Sequence, residues 1–203
     1  MCGIAGFIGT KKINTEEIKK TLKIMHHRGP DASGYKLIKK SKNICLLHTR
    51  LKILDLSNLA NQPYNFDGLT LIFNGEIYNY IELRNNLINK GYSFRTSSDT
   101  EVLIKSFHCY GEKCVEKFEG MWAFAIWDEK NRKLFLSRDR FGEKPLYYLQ
   151  DSQNFYFASE IKFIKSLVNK SLDKNDLLIK KNFFFGYKSI QKNNETFFKE
   201  VYS

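Results

Sequence analysis

Residues 121–160 read MWAFAIWDEKNRKLFLSRDRFGEKPLYYLQDSQNFYFASE. Apolar, aromatic-rich segments (MWAFAIWD, KLFLSRD, PLYYLQ, NFYFASE) alternate there with the polar spacers EKNR, RFGEK and DSQ. Strand-like segments joined by spacers this short can only pair antiparallel, because a parallel crossover needs a dozen residues or more. Further strand candidates lie upstream at residues 2–9 (CGIAGFIG), 34–38 and 44–51, and in 69–80 (LTLIFNGEIYNY), a strand running into a turn. Between them, residues 15–27 place Ile18, Leu22 and Met25 on one helical face, with Thr15 as the expected N-cap. Residues 79–91 begin with Asn79 and Glu82 in capping-box register and stop at Gly91, and a third helix starts near Asp99 as its N-cap. RGPDASG (28–34) and NLANQPYNFDG (58–68) read as loops. From Ser166 onward the pattern loosens, apart from the aromatic knot NFFFGY. Early helices with strands throughout give an α+β class, layered around a core and not built from βαβ repeats.

At 203 residues with 42% hydrophobic and 15% aromatic content, the chain can bury a substantial core. No run reaches the length of a membrane span and no leader pattern precedes a cleavage site, so a cytoplasmic protein is expected. Cys2, Cys45, Cys109 and Cys114 lack C-x-x-C spacing, and reduced thiols are expected. The net charge of +11 comes mostly from scattered lysine pairs such as Lys11-Lys12 and Lys180-Lys181. It reads as a solvated basic exterior, with no nucleic-acid or membrane partner. His26 and His27 end a helix and suit its dipole, and no residue spacing suggests a metal site. Trp122, Phe124 and Trp127 read as core, and the sequon at Asn194 as accidental.

A cysteine directly behind the initiator methionine is an odd address for packing. If Met1 is removed, Cys2 carries both a thiol and an α-amine, and an amine of pKa ~8 can serve as its own general base. Its alternative is a small strand residue. Acyl transfer needs oxyanion donors, which the Asn74 amide and the Gly75 N–H could supply; by spacing alone, Asn-Gly reads first as a hairpin turn. An amino-acid substrate needs a cation and an anion. Arg50 could grip a carboxylate in bidentate fashion and Asp99 an ammonium, but singly each reads as a surface ion-pair partner and a helix cap.

What ties these residues together is a resemblance. In order, MCGIAGF, HHRGPD, HTRLKILDLS, NQPY, FNGEIYNY, SSDTE, GMWAFAIWD and LSRDRFGEKPLYY resemble the blocks of the glutamine amidotransferase domain of glutamine-hydrolysing asparagine synthetases. That domain is a class II amidotransferase, a member of the N-terminal-nucleophile hydrolases. The likeness runs collinearly from about Cys2 to Lys165. It implies a four-layer αββα sandwich, a glutaminase domain over residues 2–190, and a connector over 191–203 leading toward a synthetase domain. By the same likeness Cys2 is the nucleophile, Asn74 and Gly75 form the oxyanion hole, Arg50 holds the glutamine carboxylate and Asp99 its ammonium. Ile53, Leu54 and Glu76 match further glutamine contacts.

The resemblance implies L-glutamine as substrate and no cofactor or metal in this domain. ATP and Mg²⁺ belong to the synthetase domain, whose S-G-G-x-D-S loop does not occur in this sequence. Ammonia would pass to such a domain in cis or on a separate partner, aspartate being the first acceptor to consider and a sugar acid another; a homodimer stays open. Rival readings are an acylase acting on another amide, which the Arg50–Asp99 pairing disfavours, and an inactivated copy serving as an interaction module, which the intact site residues disfavour.

Overall fold

The computed structural model describes residues 1–39, 42–186 and 194–203. Among the described residues, every pairing between two strands is antiparallel. A six-stranded sheet has the order β10-β8-β9-β1-β3-β2 and a four-stranded sheet the order β4-β5-β6-β7. The first is built from β1 (Gly3–Gly9), β2 (Ala32–Lys39), β3 (Asn43–Arg50), β8 (Tyr147–Gln150), β9 (Asn154–Ala158) and β10 (Val201–Tyr202). The second comprises β4 (Tyr64–Phe66), β5 (Leu69–Ile77), β6 (Gly120–Asp128) and β7 (Lys133–Arg138).

Alternation along the central strands explains the layering. In β6, Trp122, Phe124 and Ile126 enter one apolar cluster with helices α2 (Tyr80–Ile88) and α3 (Asp99–Tyr110), whereas Ala123, Ala125 and Trp127 enter another between the sheets. In β3, Ile44 and Leu46 join that inter-sheet cluster, while Cys45 and Leu47 face a third one under α1 (Thr15–Met25) and α4 (Ile161–Val168). Successive strand side chains point to opposite faces, so a strand buried on both faces must be apolar at every position. That is why MWAFAIW reads as a continuous run. Helices on the two outer faces complete an αββα stack around these three clusters.

Local chemistry differs from the sequence expectations at several points. The N-cap of α1 is Asn14, not Thr15, with a capping box closed by Glu17. Asn79 precedes α2 but makes no side-chain cap; its amide instead spans to the Lys117 carbonyl and the Glu119 N–H, tying the helix start to the approach to β6. The cap of α3 is Ser98, which leaves Asp99 as the first helical residue with its carboxylate free for other work. Strand β2 starts at Ala32, inside the stretch read as a loop. Two helices were not anticipated: α4, and α5 (Asp176–Phe185), which absorbs most of the aromatic knot. The expected boundary between residues 190 and 191 lies outside the described residues. Among the described residues no helix is long and apolar enough to cross a membrane.

Candidate active site

The site lies at one end of the paired sheets, where β4 stops short of its neighbour. Strand β4 pairs only with Leu69–Leu71 of β5, so the rest of that edge of β5 has no strand beside it. N–H groups along a strand point alternately to its two edges. On this open edge the Phe73 N–H donates to Gln62 Oε1 at 2.6 Å and the Ile77 N–H to Asp99 Oδ2 at 3.1 Å. Gly75, between them, projects its N–H the same way, since its opposite number Trp122 turns its own N–H and C=O toward Asp139 beyond β7. Asn74 and Gly75 are therefore strand residues, not the hairpin turn that spacing suggested. The Asn74 side chain is 1% exposed, and its Nδ2 is buried without a hydrogen-bond partner. A buried donor left unmade is costly; here it lines a cavity of about 210 Å³ shared with Cys2, Arg50, Ile53, Leu54, Gly75, Glu76 and Asp99. Every residue named from the sequence is thus brought to one place.

Cys2 precedes the first residue of β1, a strand hydrogen-bonded on both flanks by β3 and β9. Its Sγ lies 3.4 Å from the Leu51 N–H, and its carbonyl accepts from Arg28 Nε at 2.9 Å. Burial pushes the thiol pKa up, opposed by the Leu51 N–H, the terminal ammonium and Arg50. Arg28 is steadied in turn by Glu160 at 3.1 Å. Burial alone would raise the Glu160 carboxyl, but hydrogen bonds from Lys162, His27 and Arg28 hold it down at about 2 against an ordinary 4.5. A depressed carboxylate adds stability above its unfolded pKa, and that contribution is lost as the pH falls from about 4.5 toward 2. Glu160→Gln is therefore expected to lower the Tm by roughly 3 °C at pH 7, the difference from wild type closing toward pH 2 in calorimetric scans.

Arg50, at the end of β3 and 4% exposed, is used differently from the free fork expected of it. Its Nη1 donates to the Ser57 carbonyl and Asn61 Oδ1, each at 2.8 Å, and its Nη2 to the Leu54 carbonyl at 3.2 Å and to the Asp55 carbonyl. All four acceptors are neutral, so the guanidinium shapes the 54–61 loop and keeps its charge uncompensated beside the cavity. Asp55 stitches that loop to the approach to α3 by accepting from the Ser97 N–H at 2.8 Å. The approach is further pinned by the buried Glu101, which accepts from the Thr96 N–H and hydroxyl, each at 2.8 Å.

Asp99 is 5% exposed and makes no ion pair among the described residues; its carboxylate accepts from the Ile77 N–H and the Ser98 hydroxyl. Burial first, with the nearby Glu76 charge adding to it, raises its pKa from 3.8 to about 6 despite hydrogen bonds from Ile77, Thr100 and Ser98. Two acids, Asp99 and Glu76, and the guanidinium of Arg50 in one cavity suit a zwitterion. Sequence reasoning assigned no role to other residues here. Lys144 and Gln62 also line the cavity. Gly29 is packed so closely that a Cβ would lie 2.4 Å from the Thr49 carbonyl, and Asp31 accepts from the Lys52 N–H at 2.8 Å. The RGPD block thus braces the end of β3, a purpose visible only once both segments are placed. Among the described residues, no group of three or more His, Cys, Asp and Glu could hold a metal ion.

A family model described as a glutamine amidotransferase domain matches residues 1–203. The chain belongs to that family. Among curated proteins this amidotransferase domain is 41% identical over 198 residues to the glutamine-hydrolyzing asparagine synthetase 1 of Bacillus subtilis, covering 94% of this chain and 30% of the relative. It is likewise 41% identical over 172 residues to asparagine synthetase 3 of the same organism, covering 81% of this chain and 27% of that protein. The chain therefore spans less than a third of the length of these relatives. Among solved structures, glutamine phosphoribosylpyrophosphate amidotransferase from B. subtilis, complexed with ADP and GMP, aligns with a TM-score of 0.67 at 22% identity, over 82% of this chain and 44% of the other. That likeness is one of fold, and it agrees with the antiparallel αββα sandwich of the N-terminal-nucleophile hydrolases.

Proposed function

We propose that this chain hydrolyses the side-chain amide of L-glutamine and supplies the ammonia to a synthetase module for ATP-dependent amidation. The observation that carries the reading is the buried, unpartnered Asn74 Nδ2 beside the Gly75 N–H, in the same cavity as Cys2. Met1 is removed first, which frees the Cys2 amine. The Cys2 thiol passes its proton to that amine as Sγ adds to the amide carbon, and the new oxyanion is held by Asn74 Nδ2 and the Gly75 N–H. Collapse breaks the C–N bond, and the α-ammonium returns its proton to the departing nitrogen, releasing ammonia. Water then adds to the thioester with the amine as base, giving glutamate and the free thiol. Arg50 attracts the α-carboxylate while Asp99 and Glu76 receive the ammonium, with backbone groups at Ile53 and Leu54 completing the cradle. No cofactor enters these steps; ATP and Mg²⁺ act on the synthetase module.

The relatives' names support asparagine synthesis from aspartate as the first amidation to test. We place this activity in the cytoplasm, without a nucleic-acid or membrane partner; of the connector expected over residues 191–203, Val201–Tyr202 pairs with β8 and belongs to the domain's own sheet. The test is direct: purified chain, shown by intact mass to have lost Met1, should release glutamate and ammonia from free glutamine and leave acylated amines untouched. Equal turnover by material that retains Met1 would refute the scheme.

Asp99 gives this reading a pH signature. Its ionised form is needed to hold the ammonium, so kcat/KM for glutamine should fall as the pH drops through about 6. Stability moves the other way: a carboxyl whose folded pKa is raised favours the fold at low pH, and that advantage is lost as the pH rises from 3.8 to about 6. Asp99→Asn should raise KM by roughly thirtyfold or more and remove the acidic limb. An unchanged limb in the variant would assign it to another group.

A further inference from the structure

The Phe73 peptide, immediately ahead of Asn74, is held by side chains on the edge where a strand is missing. Its N–H donates to Gln62 Oε1 at 2.6 Å, and its carbonyl lies 3.1 Å from His48 Nε2. His48 comes from β3, in the opposite sheet, and is 1% exposed; Gln62 is 7% exposed. Because a carbonyl can only accept, Nε2 carries the proton, and Nδ1 is left buried without a partner. Gln62 also donates from Nε2 to Thr100 Oγ1 at 3.3 Å, one residue beyond Asp99. The two side chains thus replace the absent strand across the backbone that bears the oxyanion donors. They also link it to Arg50's strand on one side and to the ammonium-binding helix start on the other. Gln62 lines the cavity while His48 is not among its lining residues, and neither was assigned a role by the sequence blocks.

We infer that His48 and Gln62 are positioning residues for the oxyanion hole, clamping Phe73 so that Asn74 Nδ2 and the Gly75 N–H are already aimed when the tetrahedral oxyanion forms. This rests on the glutaminase reading above. Pre-set donors matter because oxyanion stabilisation depends on groups that need no rearrangement as charge develops. Burial holds the His48 pKa down at about 3, so the ring stays neutral across the working range and the clamp adds no pH limb of its own.

The test is a kinetic cycle on the full chain with Met1 removed. His48→Phe should lower kcat by about tenfold to a hundredfold while KM for glutamine stays within about threefold, and His48→Gln, which restores an amide donor, should recover most of the loss. In an Asn74→Ala background the same His48→Phe change should cost clearly less than in wild type, since only the Gly75 N–H is then left to aim. Gln62→Met is read in the same cycle and decides the matter if His48→Phe does not fold. A normal kcat in a folded single variant, or an undiminished loss in the Asn74→Ala background, would overturn the inference. Inactive wild type, or a Cys2→Ala variant as active as wild type, would instead strike the glutaminase reading.

Discussion

Cys2→Ala is expected to abolish glutamine hydrolysis, lowering kcat by on the order of 10⁴-fold or more, while the protein still folds and binds glutamine. The size follows from what the residue contributes. Without the sulfur there is no covalent intermediate, and the α-amine of alanine has no acid partner to activate. The fold has little reason to respond: Cys2 lies ahead of β1, and the backbone carbonyl that Arg28 grips is unaltered by the substitution. Steady-state ammonia release, together with intact mass after incubation with an electrophilic glutamine analogue, measures both halves. Wild-type protein should gain one covalent adduct and the variant none. Turnover by Cys2→Ala within tenfold of wild type would end the nucleophile assignment.

Asn74→Ala is expected to cost the next most, about a hundredfold or more in kcat with little change in KM. The amide contributes only when negative charge appears on the former carbonyl oxygen, so its loss should fall on kcat rather than on ground-state affinity. Structure argues against a large fall in stability, because Asn74 Nδ2 makes no hydrogen bond that the substitution would break. Removing a buried orphan donor relieves a cost and leaves a small hole, and a Tm near or above that of wild type is the outcome to look for. A variant with a high KM and normal kcat would turn Asn74 into a substrate-binding residue.

Antiparallel pairing was legible in the aromatic segments of residues 121–160 for the hairpins β6–β7 and β8–β9, whereas β7 and β8, also joined by a short spacer, lie in different sheets, and the four-layer stack came only from the family likeness. Helix α4 was missed for a physical reason. At eight residues it shows barely two turns of periodicity, and its buried Phe163, Ile164 and Leu167 follow directly on the apolar run of β9. The caps misread at Thr15 and Asp99 are errors of one position, yet the second matters: with Ser98 capping α3, Asp99 is released to face the cavity.

Of the site, Cys2, Arg50, Asn74, Gly75 and Asp99 were picked out by chemistry but joined only by family likeness; nothing in their spacing says that they meet. Arg50 lines the cavity as the likeness implied, but its local bonding was not foreseen, since its four acceptors belong to a loop whose path no periodicity reveals. His48 and Gln62 escaped notice because their partner is a backbone peptide 25 and 11 residues away, and backbone groups leave no mark in a sequence.

The place of β1 has a practical corollary for anyone handling this protein. Its flanks are occupied by β3 and β9, and Met1 already lines the cavity, with Lys144 Nζ 3.6 Å from its sulfur. A purification tag or fluorescent fusion added upstream would run from a residue that lines this cavity, besides keeping as an amide the Cys2 amine that the proposed mechanism needs. Labels belong at the other terminus, or ahead of a protease site whose cut leaves cysteine in front.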